Sequence, residues 1–240
     1  FSKQFDFMEN NPEIGVLGTN IRFFGNYNAD SDLPTSNNDL KAELLFRDMI
    51  MHPTVMIRRS VMDENNLRYD EDFRISQDYD LWGRMIRFTE FANMPEILLK
   101  YRFVDSNLTN STKTEYRESL LKKIFITQLK RLGINPSDED IRFHIILASK
   151  KSISIIDDLS GIKLWLDKIA EKNKEKLFYD QAVIERVLSK YWFSVCTNST
   201  GFGLKTYFKY KIFQYVNQYD PGFILKFRFL LKCMVAYERK

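Results

Sequence analysis

The side chains with the means to do chemistry gather between His52 and Arg102. His52 stands ahead of Pro53 at the mouth of a short apolar stretch. Tyr69, Asp70 and Asp72 follow in a polar stretch. Gln77, Asp78 and Asp80 then open a segment in which Leu81, Trp82, Met85 and Ile86 recur at helical spacing. A carboxylate at the start of a helix lies in the field of the helix dipole, which favours its ionised form. Within hydrogen-bond reach of a hydroxyl, such a carboxylate can take the proton as the oxygen attacks. Asp78 is the candidate for that general-base role, and the same residue equally suits a plain helix cap. His52, Asp70 and Gln77 are candidate substrate contacts. For His52 packing is an equal alternative, and for Asp70 a solvated loop. Arg102 could bind anionic oxygens bidentately, or form a structural ion pair with Asp78 or Glu96.

Other chemistries find less support. Cys196 and Cys233 are the only two cysteines and form no closely spaced pair, which argues against zinc and against a disulfide framework. Asp30-Ser31-Asp32 has the letters of a metal-binding Asp-x-Asp but lies in a polar loop, so both aspartates read as surface residues. His144, in an apolar helical setting, reads as structural, and Trp82 faces the apolar stripe of its helix and reads as core. No metal ligand is assigned within the chain.

The elements that must position these residues follow from periodicity. Residues 1–10 read as a helix closed by Asn10, Asn11 and Pro12, and Ile14 to Phe24 as a buried strand. Gly25 to Asn38 is a loop by composition, and Asp39 is placed to cap a helix through Met49. His52 to Arg58 reads as a short strand, 59–65 as a helical turn and 66–77 as a loop. A helix follows from Asp78 to Phe88, then one or two strands over 91–103. From Thr112 onward nearly every segment has helical spacing. The expected division is therefore an α/β part, 1–109, and an all-helical part, 110–240.

Composition sets outer bounds. The chain has 240 residues, 44% hydrophobic, 28% charged and 15% aromatic, which suits a globular protein with a large core or an apolar contact surface. A net charge of +4 is too mild to argue for nucleic acid. The chain opens at Phe1 inside a helical pattern, which reads as a piece of a longer protein. With free cysteines and no spanning segment, the expected setting is cytoplasmic.

Four ordered blocks resemble the acceptor-side half of family-2 glycosyltransferases. They are His52–Arg58, Tyr69-Asp70-Glu71-Asp72-Phe73, Gln77-Asp78-Tyr79-Asp80-Leu81-Trp82, and Pro95-Glu96 through Tyr101-Arg102; Glu9 to Gly18 resembles the stretch that follows the family's metal-binding motif. The resemblance covers residues 1 to about 109. It implies part of a GT-A fold, a Rossmann-like mixed sheet, followed by a helical tail. It also implies inverting transfer of a sugar from a nucleotide-sugar donor to a saccharide or lipid-linked acceptor, in cell-surface polysaccharide synthesis, with Asp78 as base. A divalent ion, manganese or magnesium, would neutralise the leaving diphosphate, with its main ligands outside this stretch. Two positions depart from the family pattern. Gln77 stands where the family often has Glu. Val104, followed by Asp105, stands where it often has His, so a ligand from that position is missing. On this reading the chain alone neither binds a nucleotide-sugar well nor turns over.

Residues 203–240 interleave aromatics with Lys and Arg, which suits peripheral contact with the inner face of a membrane; packing of the aromatics with solvated lysines is the plainer alternative. A partial sheet would leave a strand edge open to homodimer formation. The competing functional class is a non-catalytic helical scaffold, or a membrane- or partner-binding module.

Overall fold

The computed structural model describes residues 1–104 and 114–238. It is a mixed α/β arrangement with a small mixed sheet, followed by a helical region. The chain forms two compact units, Phe1–Ile124 and Phe125–Lys240. The expected boundary at 109/110 lies outside the described residues, as does Asp105.

In the first unit, α1 (Ser2–Asn10) leads into β1 (Ile14–Gly25). From Ile14 to Ile21 every residue of β1 is buried, as a strand covered on both faces requires. β4 (Glu90–Phe103) runs parallel along one edge of β1. The other edge carries two short antiparallel partners. β3 (Met56–Ile57) pairs at Val16 and Leu17, and β2 (Ala29–Asp30) at Arg22 and Phe23. β2 lies in the stretch expected to be pure loop. The expected strand over His52–Arg58 is mostly a 3-10 turn, His52–Thr54, because Pro53 has no N–H to give a ladder.

The helices α2 (Asn37–Glu43), α3 (Arg59–Glu64) and α4 (Gln77–Met85) complete this unit. Ser36, not Asp39, caps α2: its Oγ accepts from Asp39 N–H at 3.2 Å, and Asp39 falls in the first turn. One core cluster joins α1 to the sheet through Met8, Ile14, Leu17, Ala92 and Met94. Trp82 and Leu81 of α4, and Leu40 and Phe46 around α2, are fully buried. From Pro95 onward β4 leaves the core, and Phe23, Tyr27, Tyr101 and Phe103 pack edge-on beside it. Among the described residues β4 pairs with β1 alone.

The division between units falls within α5 (Thr114–Arg131). The second unit continues with α6 (Asp138–Ser149), α7 (Asp158–Lys176), α8 (Gln181–Asn198), α9 (Leu204–Lys211) and α10 (Phe223–Glu238). Local chemistry sets several ends. Ser137 and Asp140 form a reciprocal capping box at α6, and Asp180 caps α8 by accepting from Val183 N–H. Buried Asn173 bonds Tyr179 through both backbone groups and so fixes the turn between α7 and α8. Trp165, Trp192, Tyr191 and Phe213 fill the core. Among the described residues no helix is long and apolar enough to cross a membrane.

Candidate functional site

The N-terminus of α4 is the centre of the site, and long-range hydrogen bonds bring its neighbours to it. Gly18 on β1 has no Cβ, and one built there would collide with Asn93 Oδ1 of β4. Asn93 therefore lies across β1, where its amide donates to Pro34 O and Met49 O, both at 2.9 Å. That bond to Met49 holds the segment that carries Asp48. Thr54 anchors the 3-10 turn: its Oγ1 accepts from Thr19 N–H at 3.0 Å and donates to Met51 O at 2.8 Å. Gln4 of α1 donates to Thr54 O at 2.6 Å. His52 is thereby fixed relative to β1. Tyr79, the residue after Asp78, donates its hydroxyl to Leu44 O at 2.7 Å and ties the first turn of α4 to the end of α2.

Asp78 is the second residue of α4 and is half-buried. The cap position belongs to Ser76, which has φ +59° and makes no side-chain cap bond. A non-glycine residue in the left-handed region costs roughly 1–2 kcal/mol, and such strain tends to collect at functional sites. Asp78 Oδ1 accepts from the adjacent Tyr79 N–H at 2.9 Å. This leaves the carboxylate in the first turn, where the helix dipole favours negative charge, without committing it to the cap.

Three side chains make up the group with this carboxylate: Tyr69 and Asp48 through its charge, and His52 through Tyr69. His52 Nε2 and Tyr69 Oη share a hydrogen bond at 3.0 Å, and the His52 ring stands edge-on to Tyr69 and tilted 6.2 Å from Trp82. Burial, and then the charge of Asp78, push the Tyr69 phenol above its ordinary pKa. Asp48 is the third. Burial first, and Asp78 second, raise its carboxyl well above the usual carboxylate range, although Ile50 N–H donates to its Oδ1 at 2.9 Å. The neutral form of Asp48 is thereby favoured.

Asp48 and Tyr69 are thus members of the group around Asp78 that sequence reading did not assign to it. By sequence Tyr69 is a loop residue that could shape the acceptor site, with a solvated loop as the alternative. For Asp48 the available signal was an acidic residue four positions before His52, next to Arg47 in a largely apolar stretch. Gln77, half-buried, opens α4 beside Asp78. Asp70 is exposed, and its carboxylate accepts from Asp72 N–H in a local turn. Arg102 stands near the end of β4, in register with Phe24, its guanidinium 5.5 Å over the Phe24 ring. Asp80 pairs with Arg84 at 2.8 Å. Asp30 forms a bidentate pair with Arg22, at 2.6 and 2.8 Å, and both it and Asp32 are exposed. His144 is fully buried and accepts from Trp165 Nε1–H. Among the described residues no group of three or more His, Cys, Asp or Glu could hold a metal ion, so they do not fit a divalent-cation site.

Comparison with known proteins points to one class. The chain is 28% identical over 130 residues to an uncharacterised glycosyltransferase of Haemophilus influenzae, a match over 51% of this chain and 38% of that protein. It is 33% identical over 105 residues to an uncharacterised glycosyltransferase of Methanocaldococcus jannaschii, covering 42% and 36%. It is 29% identical over 137 residues to the O-antigen biosynthesis glycosyltransferase WbnJ of Escherichia coli, covering 52% of each. The chain is therefore similar to glycosyltransferases and spans only about a third to a half of the length of these relatives. No protein-family model matches it, and no solved structure gives a significant match.

Proposed function

We propose that this chain is the acceptor-side part of a family-2, inverting glycosyltransferase of GT-A type, and that Asp78 is its general base. An acceptor hydroxyl on a saccharide or lipid-linked saccharide attacks the anomeric carbon of a nucleotide-sugar. The new C–O bond forms as the bond to the diphosphate breaks, the leaving nucleoside diphosphate takes the electron pair, and the hydroxyl proton passes to Asp78. The observation that carries this reading is the position of Asp78: in the first turn of α4, not spent on the cap, with its charge felt by Tyr69, to which His52 is hydrogen-bonded. Tyr69 and His52 then orient the acceptor, with Gln77 at the rim. Asp70 and Arg102 are assigned to outer substrate contacts, Arg102 toward anionic oxygens.

The Escherichia coli relative is named for O-antigen biosynthesis, which supports cell-surface polysaccharide as the product class. The divalent ion belongs to the proposal through residues outside those described, and the chemistry assigned to this chain is confined to the acceptor's proton. On that division of labour the 240-residue chain alone neither binds donor well nor turns over.

The test is sugar transfer by the protein at its natural length, across a panel of nucleotide-sugars with manganese, wild type against Asp78→Asn. A loss of about a hundredfold or more supports the base role. Equal activity assigns Asp78 to structure. Inactivity of both on every donor moves the non-catalytic scaffold ahead.

A further inference from the structure

The outward face of α10 is rich in exposed apolar side chains. This helix is held to its unit along a narrow stripe: Phe229 and Cys233 are buried, and Phe229 meets Tyr210, Phe193 and Tyr207. At 3.6 residues per turn, the side opposite that stripe carries Phe223, Ile224, Phe227, Leu231, Met234 and Val235, an arc of about 120°. All six are exposed, from 42% to 80% of their surface. The Phe223 and Phe227 rings stack on each other at 5.9 Å. Singly exposed apolar side chains are ordinary, but six on one helix face form a contact surface.

The charges beside this arc are all of one sign on one flank. Arg228 and Lys232 come next around the helix, and they turn into a cavity of about 390 Å³. Lys150 and Lys190 line the same cavity, and among the described residues that line it none carries a carboxylate. On the other flank Lys226 is paired with Asp220 at 2.9 Å. An apolar arc bordered by a cationic cavity is the geometry of a helix lying in a lipid interface, its apolar face at the acyl boundary and its cations at the phosphates.

We infer that the α10 face docks on an anionic lipid bilayer, with Arg228, Lys232, Lys150 and Lys190 receiving lipid phosphate groups at the cavity mouth. The charge pattern chooses this occupant over a second copy of the chain, because two such faces would bring like charges together. The inference does not rest on the transfer reaction, and its test measures no transfer.

The experiment is flotation of the 240-residue chain with vesicles of phosphatidylcholine alone and of equimolar phosphatidylcholine and phosphatidylglycerol. Binding is expected to the mixed vesicles and to weaken as salt is raised. Phe227→Ser with Leu231→Ser, both at exposed positions, should weaken it at least about tenfold. Arg228→Gln with Lys232→Gln should weaken it by about fivefold per removed cation. An unchanged thermal melt shows that these variants stay folded. Three results overturn the inference. The first is no binding to either vesicle. The second is equal binding to both, unaffected by the charge variants. The third is a face covered by a second copy, seen as a dimer in light scattering that the Phe227 and Leu231 variants convert to monomer. If inorganic phosphate displaces the chain from the mixed vesicles where sodium chloride of equal ionic strength does not, the cavity serves a free anion and the lipid assignment also falls.

Discussion

The chain's two histidines sit in its two units and are held in opposite ways. His144 is fully buried, 4.5 Å from the Phe125 ring, and its Nδ1 accepts from Trp165 Nε1–H. Buried Asn173 is matched in the same manner and fixes a turn, although the Gln128 amide and the Tyr179 hydroxyl of that unit are buried without a hydrogen-bond partner among the described residues. His52 is half-buried, and its partner Tyr69 is 41% exposed. Tyr69 feels the charge of Asp78, which also helps to raise the Asp48 carboxyl, and Ser76, two residues before Asp78, is left-handed. Buried and satisfied polar groups specify a fold. Half-exposed, mutually unfavourable ones stabilise nothing, and a fold that retains them does so for another reason.

That contrast can be broken most severely in the helical unit. Trp165→Ala should cost about 3–5 kcal/mol, because it opens a core cavity and orphans His144. His52→Ala should cost less than about 1 kcal/mol. Denaturant unfolding of both variants reads the difference, and similar losses would erase the distinction between the two histidines. Next in size is Asp78→Asn. Its loss of transfer, about a hundredfold or more, should come with a nearly unchanged melting temperature, since Ser76 and not Asp78 holds the cap position.

Gly18→Ala tests how the site is held in place. The new methyl displaces the Asn93 side chain and its bonds to Pro34 O and Met49 O, at a cost of about 1–3 kcal/mol. Because Asp48 adjoins Met49, transfer should fall along with stability in this variant.

The smallest effect, and the most diagnostic, is that of Asp48→Asn. Burial and Asp78 raise the Asp48 carboxyl in the folded state above its ordinary value near 3.9. The folded form thus binds the proton more strongly than the unfolded form, and stability is lost as pH rises from about 4 through the raised pKa. Asparagine keeps the Oδ1 acceptor for Ile50 N–H and does not titrate. The variant should melt higher than wild type at pH 7, by about 2–4 °C for each kcal/mol relieved. The gap should close near pH 4, and a gap independent of pH would mean that the fold does not raise the Asp48 carboxyl.

Much of this was legible in the residues themselves. Helical spacing of Leu81, Trp82, Met85 and Ile86 located α4 to within a few residues. The run from Ile14 to Ile21 marked the buried strand, and the apolar surroundings of His144 marked it as structural. These are local properties: a helix repeats every 3.6 residues and a strand every two, so a window of ten residues carries the pattern. Aromatics interleaved with lysines after residue 203 were equally plain. Their helical positions on α10, relative to the stripe that Phe229 and Cys233 bury, were needed to separate the outward arc from the cationic cavity.

The site depended on contacts that no local window contains. Asp48, His52, Tyr69 and Asp78 span thirty-one positions and converge because Tyr79 reaches Leu44, Asn93 reaches Met49 and Thr54 reaches Thr19. Each of these bonds joins residues 35 or 44 apart. Composition and period constrain what a segment becomes. They do not say which segments will meet, because that follows from the burial of whole elements against one another and from backbone groups that find partners only once the sheet has formed.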